Sequence, residues 1–329
     1  MPLSDAFLQE QLRILGYGGP EQIAIGMQGA VFRLGGGKVA KIWFHAGETE
    51  LRTLGELYEA LDGQLPYRTP RVLELHHPGP YWVTIEEELP GVPLHEVAPE
   101  FSAPGWERVR DCVVEVVDAL AQVAAPEVLR RTSVLDETGP FRPGGMSWRE
   151  ALAGLVQRRA AQFHTRLVDD FDAKLEALLR LLADLKEPEP RLVHGDVTAG
   201  NILVDDDLRP VTLLDFGLLT MAGDPVFEAA ATASVIDLWS PQAREVEAAY
   251  DAAFADGPRV RRRSTPALPL RVLADHRQRP RRRPLRPRQS RAPDGEVLQQ
   301  PAGRRTAQSM TQKTVPSGAL RTVKSASGG

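Results

Sequence analysis

Within residues 194–217, the stretch HGDVTAGNILVDDDLRPVTLLDFG, His194, Asp196, Asn201 and Asp215 stand in the order that metal-assisted phosphoryl transfer requires. Asp196 falls in a tight glycine-containing loop, where a carboxylate can accept the proton of an attacking hydroxyl. Five residues on, Asn201 offers a neutral amide oxygen to a hard cation, and Asp215 adds a charged carboxylate from a strand end. Such an oxygen set suits Mg²⁺ holding nucleotide phosphates. The same residue types also serve plainer ends: Asp196 as a helix cap or turn carboxylate, Asp215 as a turn residue after a strand.

The elements that must position these groups are legible between them. Ile202-Leu203-Val204, the acidic turn Asp205-Asp206-Asp207 and Val211 to Leu214 predict a buried hairpin. It would bring the base and the metal ligands together and leave Asp215-Phe216-Gly217 at its mouth.

HGD, Asn201 and DFG, in that order and at those gaps, resemble the catalytic and metal-binding loops of the aminoglycoside phosphotransferase and choline kinase superfamily, a branch of the protein-kinase-like fold. The resemblance implies an α+β, two-lobed architecture. A small antiparallel-sheet N-lobe is expected at 1–88 and a larger, mostly helical C-lobe at 89–257, with a disordered Arg/Pro-rich tail at 258–329. It also implies ATP and Mg²⁺ as cofactors and a small-molecule hydroxyl as phosphoryl acceptor. Asp196 is then the catalytic base, and Asn201 and Asp215 the metal ligands.

The resemblance reaches upstream to about residue 20. Gly26, Gly29 and Val31, in IGMQGAV, match the second half of a glycine-rich loop whose backbone amides cover phosphates. Ala24 stands where a protein kinase has its first glycine, and an ordinary hairpin with glycines at positive φ would account for the same residues. In Val39-Ala40-Lys41-Ile42-Trp43, period-two alternation puts Val39, Lys41 and Trp43 on one face. A lysine there needs an anion, so Lys41 is the expected phosphate contact, while Lys38 at the preceding turn reads as solvated. Leu51, Leu54, Leu57, Tyr58 and Leu61 predict a helix over 49–61, with Glu50 on its apolar stripe as the expected partner of Lys41. The competing reading of Glu50 is a first-turn acid complementing the helix dipole. Glu86, Glu87 and Glu88 precede a Pro-Gly break; by resemblance they form the hinge whose backbone binds the nucleotide base, and otherwise an edge strand and turn.

Helical spacing of apolar residues predicts core helices over 106–123 and 171–185, joined in part by a Pro-, Gly- and charge-rich connection at 125–147. Asp169, Asp170 and Asp172 at the start of the second helix read as capping rather than substrate ligands. Gly223-Asp224-Pro225 resembles the turn that follows the metal-binding carboxylate in the family. Thr198, where His is frequent, and Glu228, where Asp is frequent, depart from its pattern.

Composition agrees with two lobes and a substantial core: 329 residues, 42% hydrophobic. No apolar run reaches membrane-spanning length and no leader pattern opens the chain, so a cytoplasmic protein is expected. The single cysteine, Cys112, reads as a core residue. The net charge of −4 hides a division. From Arg259 on there are 18 Lys plus Arg against 3 Asp plus Glu, leaving 22 against 41 before it. The acidic body favours a cationic acceptor such as an aminoglycoside, with choline-like, homoserine, macrolide or sugar-amine acceptors as alternatives. A catalytically inert nucleotide-binding module is the rival class. The basic segment admits a disordered tail, a nucleic-acid tether or an out-of-frame continuation, and its lack of aromatic residues argues against nucleic acid.

Overall fold

The computed structural model describes residues 5–163, 170–217, 219–236 and 242–256. The expectations for 258–329 and for Asp169 lie outside the described residues. Helix α1 (Asp5–Ile14) precedes strands β1 (Glu21–Ile25), β2 (Gly29–Gly35) and β3 (Lys38–Trp43). Helix α2 (Glu48–Leu61) and strands β4 (Val72–His76) and β5 (Trp82–Glu87) complete the N-terminal part, whose antiparallel sheet runs in the order β1-β2-β3-β5-β4.

Alternation along the strands decides what each face does. Ala30, Phe32, Ala40, Ile42, Val83 and Ile85 are fully buried on one face, and α1 covers them with Leu8 and Leu12. The opposite register places Val31, Lys41 and Thr84 in line across β2, β3 and β5. On this side Trp43 packs with the inner stripe of α2, which consists of the five residues expected: Leu51, Leu54, Leu57, Tyr58 and Leu61. The β2–β3 turn is made by Gly35, Gly36 and Gly37, all with positive φ.

Beyond β5 the chain passes through β6 (Val92–Pro93) and α3 (Leu94–Val97) into α4 (Trp106–Leu120), and a 3₁₀ turn at Glu127–Arg130 leads on to α5 (Trp148–Phe163) and α6 (Phe171–Ala183). Strands β7 (Arg191–Val193), β8 (Ile202–Val204), β9 (Pro210–Leu213) and β10 (Met221–Gly223) follow, then α7 (Pro225–Val235) and α8 (Ala243–Asp256). The expected helices over 106–123 and 171–185 form, each about two or three residues shorter at the C-terminal end. Helix α5 was not anticipated: its alanines and arginines dilute the stripe, yet Trp148, Ala151, Leu152, Leu155 and Val156 bury one side. Asp170 does stand at the start of α6, in left-handed conformation, but its side chain caps no amide.

One core joins α2, α4 and α8 through Leu54, Val113, Val116 and Tyr250; a second surrounds Trp148, with Leu182, Val193, Met221 and Phe227. Residues 192–221 run between the two cores and contribute to both, so the loops they carry are pinned from either side. Among the described residues no helix is long and apolar enough to cross a membrane.

Candidate active site

The hairpin expected from the sequence is present: β8 pairs antiparallel with β9, Ile202 opposite Leu213, and β6 extends the sheet on the other side of β8. Strand β7 pairs with β10, Val193 opposite Met221. The loop 194–201 thus leaves one small sheet and enters the other. Asp215 follows β9 with φ at +59°, a left-handed conformation that Asp tolerates better than most residues and that costs about 1–2 kcal/mol in general.

His194 is fully buried. Its Nε2 donates to the Leu214 carbonyl at 2.8 Å, and its Nδ1 accepts from the Asp196 amide at 3.2 Å. Burial lowers its pKa to about 4, so the ring is neutral and these two bonds fix its tautomer. The ring also meets Phe216 edge to face at 4.5 Å. One imidazole therefore ties the Asp196 loop to the residue that precedes Asp215. Gly195 makes the loop possible: its φ is +77°, and a Cβ there would lie 2.4 Å from Leu219 Cβ and 2.7 Å from the Leu219 carbonyl oxygen.

Asp196 is partly buried, and burial, then the nearby Asp215 charge, push its carboxyl up to about 6. The Asn201 amide acts the other way. Its Nδ2 donates to the Asp196 carbonyl at 2.9 Å and to Oδ2 of the Asp196 carboxylate at 3.3 Å. The Asn201 backbone carbonyl accepts from the Leu214 amide at 2.8 Å, so base, amide and Asp215 stem share one framework.

Two contributors were not recognised in the sequence. Glu228 on α7, noted above only as a departure, is 1% exposed and accepts from the backbone amides of both His194 and Gly195, the latter at 3.0 Å. Burial pushes its carboxyl up to about 7, and the two amides and the Thr232 hydroxyl oppose that shift. Thr220 accepts from the Gly217 amide at 2.8 Å and donates to the His194 carbonyl at 3.1 Å, bridging the two loops. In the sequence Glu228 showed only as a departure from the family's Asp, which says nothing of what it reaches, and no signal marked Thr220.

On the sheet side, the Lys41 ammonium donates to Asp215 Oδ1 at 2.5 Å and lies 4.1 Å over the Trp43 ring. The expected pair of Lys41 with Glu50 does not form. Glu50 is exposed, and its carboxylate accepts from the Gly47 amide at 2.8 Å, closing the first turn of α2. The inner face of α2 is taken by leucines and Tyr58, which leaves Glu50 on the solvent side. The competing reading, a first-turn acid, describes what the structure shows. Lys38 pairs with exposed Glu74 at 3.4 Å, as a solvated lysine should.

The glycine-rich turn links β1 to β2, with the Gly26 amide on the Gly29 carbonyl at 2.9 Å. Neither glycine has the positive φ that an ordinary hairpin would have explained. Gly29 is required by close approach instead: a Cβ would sit 2.2 Å from the Ile42 carbonyl oxygen. Val31 lies opposite Lys41, and Met27 at the tip is 87% exposed, which leaves apolar surface at this rim. At the hinge, Glu87 pairs with Arg68 at 2.8 Å and Glu88 with Arg33 at 2.7 Å. The amides of Glu87 and Glu88 already bond to the carbonyls of Arg71 and Gly37. Glu86 differs from both: it is 8% exposed and faces the sheet side that carries Lys41. A cavity of about 650 Å³ borders the hinge at Arg68, Glu87 and Tyr58, and none of Lys41, Asp196, Asn201 or Asp215 lines it.

The comparisons bear on the fold and the family. A solved aminoglycoside phosphotransferase, APH(4)-Ia, described as a thermostable mutant in ternary complex with AMP-PNP and hygromycin B, superposes with a TM-score of 0.56 at 22% identity, over 83% of this chain and 90% of that one. Macrolide 2'-phosphotransferase MphH from Brachybacterium faecium gives 0.52 at 20% identity, covering 82% and 88%. Aminoglycoside phosphotransferase APH(3'')-Id from Streptomyces rimosus, in complex with ADP and streptomycin, gives 0.52 at 19%, covering 83% and 99%. At these identities the likeness establishes the two-lobed kinase-like fold. No curated protein sequence matches the chain. The model of the APH phosphotransferase enzyme family matches residues 21–263, from the first strand past α8, and the chain belongs to that family.

Proposed function

We propose that the protein transfers the γ-phosphate of ATP, with Mg²⁺, to a hydroxyl of a small cationic molecule of the aminoglycoside kind. The observation that carries this reading is the shared framework of Asp196, Asn201 and Asp215, with the ammonium of Lys41 on Asp215. A base whose carboxyl titrates near 6 is ionised at neutral pH and still basic enough to take a hydroxyl proton. Asn201 orients one carboxylate oxygen of Asp196 and leaves the other for the acceptor.

The residues fit a hard dication. The Asn201 Nδ2 donors are spent inside the loop, so Oδ1 is the amide atom left to ligate, and the Asp215 carboxylate is 45% exposed beside it in the framework. Mg²⁺ bound there would neutralise charge on the transferring phosphoryl oxygens. Lys41 supplies a second cation, and Gly26 and Gly29 supply backbone close to the phosphates. Catalysis is then mostly positioning and electrostatics. The acidic balance before residue 259 supports a cationic acceptor, as do the hygromycin B and streptomycin complexes of the neighbours, and an ATP-dependent reaction of this kind suits the cytoplasm.

The test is Mg²⁺-dependent ADP release from ATP across a panel of aminoglycosides, macrolides and amino alcohols, with Asp196→Asn in parallel. Acceptor-dependent turnover that disappears in the variant is the expected result. ATP that raises the melting temperature with no turnover on any acceptor would favour an inert nucleotide-binding module.

A further inference from the structure

We infer that Glu86, a residue of the central sheet, is the carboxylate that positions the Lys41 ammonium, the task the sequence assigned to helix α2. This rests on the phosphotransferase reading above and adds to it a positioning residue.

Among the described residues no acid of α2 pairs with Lys41. Glu48 pairs with Arg52 at 2.7 Å, Glu50 caps the Gly47 amide, Glu56 pairs with Arg131 of the 3₁₀ turn, and Glu59 lies on the exposed face. Strand β5 supplies what the helix does not. Lys41 lies opposite Thr84, and Glu86 lies opposite Val39, so Glu86 is the diagonal cross-strand neighbour of Lys41 on the same face. Diagonal pairs stand about 7–8 Å apart at the backbone, within reach of two long side chains.

Glu86 is held for this purpose. The Trp43 Nε1 donates to the Thr84 hydroxyl at 2.9 Å, and that hydroxyl donates to Glu86 Oε1 at 2.6 Å. The relay fixes one carboxylate oxygen. Glu86 is 8% exposed, and a carboxylate so far out of water is costly unless a cation compensates it. Burial raises this carboxyl above its ordinary value, and the Lys41 charge is the largest influence opposing the rise, which agrees with their proximity. Among the described residues Lys41 makes one ion pair within 4 Å, to Asp215, the same carboxylate proposed to ligate the cation. An ammonium and a dication compete for one carboxylate, so Lys41 requires a second anchor, and Glu86 is the buried acid on its face. The hold on the lysine is then built into the sheet and does not depend on the placement of α2.

The test compares Glu86→Gln, Glu86→Asp and Glu50→Gln for kcat, KM for ATP and binding of a fluorescent ATP analogue, with the melting temperature of each. Glu86→Gln should weaken nucleotide binding and raise KM by about tenfold with an unchanged or higher melting temperature, since removing a buried charge seldom unfolds a domain that keeps the hydrogen bond. Glu86→Asp should recover part of the loss, and Glu50→Gln should stay within about twofold of the parent. In a Lys41→Met background, Glu86→Gln should cost nothing further in analogue binding. An equal cost with and without the lysine would reduce Glu86 to a packing role and overturn the inference, as would equal losses from Glu50→Gln. A parent chain that binds no nucleotide would instead remove the phosphotransferase reading itself.

Discussion

The two halves of the candidate site are built at different sequence separations. On the C-terminal side, His194, Asp196, Asn201, Asp215 and Gly217 fall within 24 consecutive residues, joined by one hairpin. On the sheet side, Lys41 meets Asp215 across 174 residues and shares a face with Glu86 on a strand paired with its own. Local spacing constrains what a short loop and hairpin can do, so the first half is nearly determined by its motif. The second half depends on which strands become neighbours and in what register, and a one-residue change of register would turn every side chain to the other face.

The largest effect should come from the local half. Asp196→Ala is expected to lower kcat by about 10²–10⁴ while nucleotide affinity holds. Steady-state kinetics beside analogue binding would check it, and an unchanged rate would remove Asp196 as base. Next in size is Glu228→Ala, which would leave the buried amides of His194 and Gly195 without an acceptor. The expected cost is about 2–4 kcal/mol of stability, read as a lower urea midpoint, with a fall in kcat as the Asp196 loop loosens.

That second prediction shows where sequence reading stopped. The fold class, the hairpin, the inner stripe of α2 and the helices α4 and α6 were legible because each leaves a period of 2 or 3.6 in the residues it buries. The grouping of Asp196, Asn201 and Asp215 was legible from spacing. Glu228 was not, because a substitution of Glu for Asp in a motif says nothing about what the longer side chain reaches; only the packing of α7 beneath the loop shows two amides at its end. Glu50 misled for a related reason. A helical stripe has a width of more than 100°, and a residue at its edge in the first turn can swing to its own N-terminus, where backbone amides outbid a distant lysine. Helix α5 was lost because alanines and a glycine dilute its buried side and arginines interrupt the remainder, so its period is weak although Trp148, Leu152, Leu155 and Val156 are buried.

The pH dependence sharpens the comparison at intermediate size. Burial and the charge of Asp215 raise the Asp196 carboxyl to about 6, so the base is ionised above that pH and protonated below it. Activity should therefore be level above pH 6 and fall by up to about tenfold per pH unit beneath it. The hydrogen bond from Asn201 opposes the rise, so Asn201→Ala should move that limb to higher pH as well as weaken Mg²⁺ dependence. A limb that stays in place when Asn201 is removed would show that the base is a group other than Asp196.

The smallest effect tests the corrected residue. Glu50 accepts from the Gly47 amide and so satisfies one of the donors that every helix N-terminus leaves open, with its charge at the favourable end of the dipole. Glu50→Ala should cost about 1 kcal/mol of stability, measured as a shift of the thermal midpoint, and leave kcat and the KM for ATP close to those of the parent. Were Glu50 the partner of Lys41, nucleotide affinity would fall as well, because the ammonium would lose the carboxylate that places it. The KM for ATP thus separates the two readings, and the sheet half of the site stands or falls on whether it moves.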